Sequence, residues 1–123
     1  VVYLPSNYEN ACRYCMAGHT TLAKMQKMEA AMIEALRAGK PLPDAKQEAP
    51  HHFTTLVVRN RGQVADTDVD AFFGAGFTRR NALEVVLGVA TKVMSNYTNH
   101  IVHTPLDDFM KGNEWTKPTG NAS

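Results

Sequence analysis

The stretch 78-TRRNALEVVLGVATKVMSNYTNHIVH-103 decides the fold class. Leu83, Val86, Leu87, Ala90, Met94, Tyr97 and Ile101 recur on it at helical spacing and share one face. Residues 83–90 are apolar nearly all round, so the segment is expected to be a long, buried central helix. Upstream, Asp66 or Thr67 can cap a short helix carrying Val69, Phe72 and Phe73 that Gly74 and Gly76 close. Pro50 fits the first turn of a helix that buries Phe53, Leu56 and Val57 and ends at Gly62. The polar stretch 40–50, with three prolines, reads as a linker with at most a short helical turn after Asp44. From Thr20, the positions Leu22, Met25, Met28, Met32 and Leu36 predict one helix of about five turns, stopped by Gly39 and Pro41.

No run alternates with period two over the length of a strand, and the β-rich residues 54–58 lie within a helical frame. The reading is therefore all-α: one helical domain over residues 1–110, followed by an extended C-terminal arm over 111–123. Gly112, Pro118 and Gly120 mark the arm as extended, and Trp115 within it predicts that it docks.

A chain of 123 residues that is 44% hydrophobic and 20% charged suits one domain with a core. Thirteen basic and twelve acidic residues nearly cancel, which gives no electrostatic pull toward nucleic acid or an anionic membrane. The apolar runs fall short of the roughly 20 residues a spanning helix needs. A cytoplasmic location is the expectation.

Chemistry concentrates on Cys12 and Cys15, the only cysteines. A bridge closing so short a loop stabilises little, so redox chemistry is the better reason for the pair. On a helix, steps of three from Cys12 to Cys15 and four from Cys15 to His19 put all three side chains on one face. A helix starting near Cys12 would favour thiolate through its unsatisfied N–H groups and dipole. His19 can take a thiol proton or stabilise a thiolate. Tyr14 is a candidate hydroxyl for a proton relay, or simply packing.

Other readings stay open. Two thiolates are half a zinc site, with His100 and His103, or His51 and His52, as the ligands on offer. The cysteines could instead be inert core residues, although Asn10, Arg13 and His19 are polar company for that. Met25, Met28, Met32 and Met94 read as core or subunit contacts, and Asp107 with Asp108 as a solvated helix start.

Residues 9-ENACRYCMAGHT-20 resemble the signature of the carboxymuconolactone decarboxylase superfamily, in its alkyl hydroperoxide reductase D-like branch. The specific part is the CxxC followed, after three intervening residues, by histidine. Residues 77-FTR-79, 83-LEVVLGVA-90 and 95-SNYTNH-100 look like the same family's long helix, so the resemblance covers most of the chain. It implies an all-helical fold assembling into homo-oligomers, trimers or hexamers, and a thiol-dependent peroxidase. By that resemblance Cys15 attacks a hydroperoxide, Cys12 resolves the sulfenic acid into a Cys12–Cys15 disulfide, and His19 relays the proton. An external dithiol, such as a lipoyl group, restores the pair, and no further cofactor is implied. A lactone decarboxylase on the same fold, or a metal-binding structural module, is the alternative.

Two departures bear on mechanism. Active relatives carry a glutamate twelve positions before the first cysteine, which here falls immediately before Val1; the apolar residues 1–4 read as the inside of an element, and the protein is expected to continue upstream. Glu9 is the nearby substitute. Pro5 is the second, expected to kink or shorten the helix preceding the CxxC.

Overall fold

A computed structural model describes residues 1–119 and contains six α-helices and no strand among them. The helices are α1 (Tyr3–Glu9), α2 (Arg13–Met25), α3 (Ala30–Ala38), α4 (Ala45–Arg59), α5 (Asp66–Gly74) and α6 (Arg79–Val102), with a 3-10 turn at Asp108–Met110. Short α1 lies against α2, α3, α4 and α6, so it is the hub of the bundle. Pro5 causes no kink there. It stands in the first turn of α1, where its missing N–H would have had no helical partner.

The predicted five-turn helix is two. Lys27 takes a left-handed φ of 60°, and the amide of Met28 reaches back to the Ala23 carbonyl, so the chain turns between α2 and α3 although the apolar spacing runs on. That turn lets Ala23, Ile33 and Leu36 face one core with Leu4, Met16, Leu42 and Trp115. Gly39 ends α3 at φ 67°; a Cβ there would run into the Tyr8 ring, so glycine serves both the turn and the close approach.

Helix α4 begins earlier than predicted. Asp44 caps it by accepting from the amides of Lys46 and Gln47, and this fixed start carries the helix through Pro50, which lies inside it rather than in the first turn. Much of the expected linker is thus helical. Its C-terminal half joins α5 in a second core, where Phe53 stacks on Phe72 at 4.3 Å and Phe72 on Phe77 at 4.8 Å. Helix α5 starts after Ala65 without a side-chain cap, not on a capping Asp66 or Thr67. Residues 54–58 are helical, as the frame around them implied.

Helix α6 is the long helix the sequence predicts, started by a Thr78–Asn81 capping box and ended by His103 in the left-handed region. Its buried face is not the one expected. Only Val85, Lys92 and Asn96 are buried, whereas Leu83, Leu87, Met94 and Ile101 are each 68–77% exposed. Val86 and Tyr97 share that open stripe. Within one chain, the first half of α6 turns Ala82, Val85 and Val89 to the second core, and its second half turns Lys92 and Asn96 inward.

After the 3-10 turn, residues 111–119 run without regular structure but pack back on the bundle. Trp115 is buried beside Tyr8, its Nε1–H donating to the Arg37 carbonyl at 2.8 Å, while Arg37 donates to the carbonyls of Asn113 and Glu114. The docking that Trp115 predicted is present. Gly120 and the rest of the arm's end lie outside the described residues.

Candidate functional site

Cys12 is the N-cap of α2, with extended backbone and a sulfur that accepts from the Cys15 amide at 3.3 Å. Cys15 therefore lies in the first turn, where the helix dipole favours an anion. Both sulfurs are buried and reduced. The start of the helix is where the sequence reading placed it.

The surroundings of the pair come from α1 and α6. Asn99 donates from Nδ2 to the Cys15 sulfur at 3.2 Å, and its Oδ1 is held by the Thr104 hydroxyl at 2.6 Å. Its amide is thereby pointed at the thiol. A second amide chain runs from Asn10 to Asn96 at 3.0 Å, from Asn96 to Asn7 at 2.9 Å, and from Asn7 to the Cys15 carbonyl at 3.1 Å. Asn7 and Asn96 are wholly buried, so this chain fixes the backbone of Cys15 to both neighbouring helices. The Ser95 hydroxyl stands 3.9 Å from the Cys15 sulfur.

These contacts split the two thiols. Cys15 is lowered from 9.0 to about 5, first by the hydrogen bond from the Cys12 thiol, then by Asn96, Asn99 and the Lys92 ammonium, which together outweigh burial. Cys12 moves up, because it donates that shared hydrogen bond and is buried. One thiolate and one thiol sit side by side.

His19 donates from Nδ1 to the Cys15 carbonyl at 3.0 Å, which leaves Nε2 as its free lone pair. Burial, with the Lys92 charge second, holds its pKa below 6.5, so the imidazole is neutral at pH 7. Its ring meets the edge of Tyr3 at 5.3 Å. His19 thus stands at the pair through the Cys15 backbone.

Cys15 and His19 open on a pocket of about 170 Å³, walled by Tyr14, Gly18, Leu22, Lys92, Phe109 and Met110. Met110 rests on Gly18, where a Cβ would come within 3.1 Å of its methyl group. On the other side, Cys12, Arg13, Asn99, His100 and His103 border a wider cleft of about 450 Å³.

Two predicted residues point elsewhere. Glu9 receives a bidentate pair of hydrogen bonds from Arg59, at 2.8 and 3.1 Å, and has Lys117 at 3.9 Å, so its carboxylate is occupied away from the thiols. Tyr14 walls the pocket with its ring, but its hydroxyl donates to Asp107 at 2.6 Å. That bond commits its proton to a carboxylate. His51 is tied to Glu48 at 2.8 Å, and His52 faces Asp68 at 4.0 Å. Among the described residues, no three His, Cys, Asp or Glu side chains are grouped to hold a metal ion.

Asn7, Lys92, Asn96 and Asn99 escaped the sequence reading. Their signal was present: residues 92, 96 and 99 repeat at helical spacing on the side of α6 opposite the apolar stripe, and a polar stripe on a helix packed into a bundle lines something. In comparisons with known proteins, no protein-family model matches this chain and no curated protein matches it.

Proposed function

We propose that this protein is a thiol-dependent hydroperoxidase resembling the alkyl hydroperoxide reductase D-like branch of the carboxymuconolactone decarboxylase superfamily. The observation that carries the reading is the unequal pair: a Cys15 thiolate held by Asn99 in an apolar pocket, beside a protonated Cys12. The Cys15 sulfur attacks the terminal oxygen of ROOH; the O–O bond breaks, leaving Cys15–SOH and RO⁻, which takes up a proton as ROH. The Cys12 sulfur then attacks the Cys15 sulfur. The S–S bond forms as S–OH breaks, and the hydroxyl leaves as water with the Cys12 proton. An external dithiol of the lipoyl class reduces the disulfide by exchange and becomes a disulfide itself. The cysteine pair is the redox group, and His19 handles protons through its free Nε2. Leu22, Phe109 and Met110 favour an organic R group over bare hydrogen peroxide.

The same reading includes assembly into a homo-oligomer, a trimer or hexamer. Its support is the open stripe of α6, from Leu83 to Ile101, which is too apolar and continuous for a helix face left in water.

Mass spectrometry of the reduced protein after tert-butyl hydroperoxide tests the chemistry. The expected product is one intramolecular Cys12–Cys15 disulfide per peroxide consumed. Cys12→Ser should stop at a Cys15 sulfenic acid that dimedone traps, and Cys15→Ser should lose turnover. Turnover that survives in Cys15→Ser refutes the assignment.

A further inference from the structure

Lys92 is a buried cation whose proton the reaction as written does not use. Only about 5% of it is exposed, on the inward face of α6 beside Asn96, and no hydrogen bond or ion pair engages its ammonium among the described residues. Its Nζ stands 5.6 Å from the centroid of the Tyr3 ring. Burial disfavours its charge, and the Cys15 thiolate offsets part of that cost. The side chain also borders the Cys15 pocket, together with His19 and Ser95. The Lys92 side chain thus borders the same small apolar chamber as the nucleophile, where O–O cleavage makes a second anion.

We propose that Lys92 is the general acid of peroxide reduction, giving its proton to the alkoxide as the O–O bond breaks. The inference rests on the hydroperoxidase reading above. The step is Cys15–S⁻ + ROOH + Lys92–NH3⁺ → Cys15–SOH + ROH + Lys92–NH2, and the amine regains a proton from solvent after the alcohol leaves. Alkoxides are strong bases and leave poorly unless protonated, so a positioned acid contributes on the order of 100-fold or more. Neutral His19 is a weaker candidate, because its one ring proton is donated to the Cys15 carbonyl. Burial moves the Lys92 pKa down from 10.5, toward the range where an ammonium gives up its proton readily. The groups around it are Cys15, Cys12 and His19 from α2 and Tyr3 from α1.

Two substitutions separate proton donation from charge and from packing. Lys92→Met keeps the bulk and removes both charge and proton; Lys92→Arg keeps the charge but cannot release its proton. Single-turnover oxidation would be followed by loss of thiolate absorbance near 240 nm and expressed per Cys15 thiolate. The oxidants are tert-butyl hydroperoxide, whose leaving alkoxide needs a proton, and peracetic acid, whose leaving acetate does not. Both variants should slow about 100-fold with tert-butyl hydroperoxide and less than about threefold with peracetic acid. Ethylammonium should restore part of the rate in the methionine variant. Equal slowing with both oxidants, or no slowing with either, overturns the role of Lys92. A wild-type protein whose Cys15 reacts with neither oxidant overturns the hydroperoxidase reading itself, and this inference with it.

Discussion

The state of Cys15 can be read directly by titrating the reduced protein while following thiolate absorbance near 240 nm. With a pKa of about 5, Cys15 holds about 100 thiolates for each thiol at pH 7. An ordinary thiol near 9 would hold about one thiolate per 100 at that pH and would gain about 50-fold by pH 9. The wild-type trace should therefore rise around pH 5, stay level through neutrality, and climb again only when Cys12 ionises in the alkaline range. Asn99→Ala then tests the cause. It removes an N–H···S contact of 3.2 Å to a charged acceptor, an interaction worth about 1.5–3 kcal/mol. At 1.36 kcal/mol per pKa unit, the first rise should move up by about 1–2 units. Thr104→Val, which frees the Asn99 carbonyl but leaves its amide in place, should shift it less. A wild-type protein with a single rise near pH 8.5–9 would refute the assignment of Cys15 as thiolate. An Asn99→Ala trace superimposable on wild type would refute the role of the amide.

Stability of the reduced protein should rise with pH between about 5 and 8, measured as Tm in buffers of equal ionic strength. Cys15 has a depressed folded pKa, so its contribution is present above the unfolded value and is lost as pH falls toward 5; His19, held below its ordinary value by burial, costs stability as acid protonates the unfolded chain, and acts in the same direction. A flat or opposite slope would contradict the lowered pKa of Cys15 and the burial of His19. Leu87→Lys and Ile101→Lys should leave the helical circular dichroism unchanged, because both side chains are open in one chain, yet convert the assembly to monomer by light scattering. A wild-type protein that is already monomeric removes the oligomer from the reading. Trp115→Ala should cost about 3–5 kcal/mol in urea denaturation, since the buried indole anchors residues 111–119 to Arg37. Glu9→Gln should lower stability modestly through Arg59 while peroxide turnover stays at the wild-type rate; a large loss of turnover would return Glu9 to the site.

Local chemistry was legible in the chain. Helical periodicity excluded a sheet, the spacing of Cys15 and His19 put both on α2 one turn apart with Cys12 at its start, and Thr78 marked the start of α6, because each depends on residues within a turn or two of one another. Trp115 announced a docked arm because an indole is rarely left in water. Boundaries that depend on a single backbone angle were not legible, as the left-handed Lys27 that divides α2 from α3 illustrates. Nor was the direction in which α6 faces. Its apolar stripe marks a surface to be covered but does not say by what, and only the packing of α1, α2 and α4 against its other side decides that Lys92, Asn96 and Asn99 turn inward to the thiols. The same packing takes Glu9 to Arg59, three residues before Cys12 in sequence yet directed elsewhere. Sequence by itself determined that a cysteine pair heads a helix; tertiary structure alone decided which groups surround it, because those groups arrive from helices up to 87 residues away, Asn99 from Cys12.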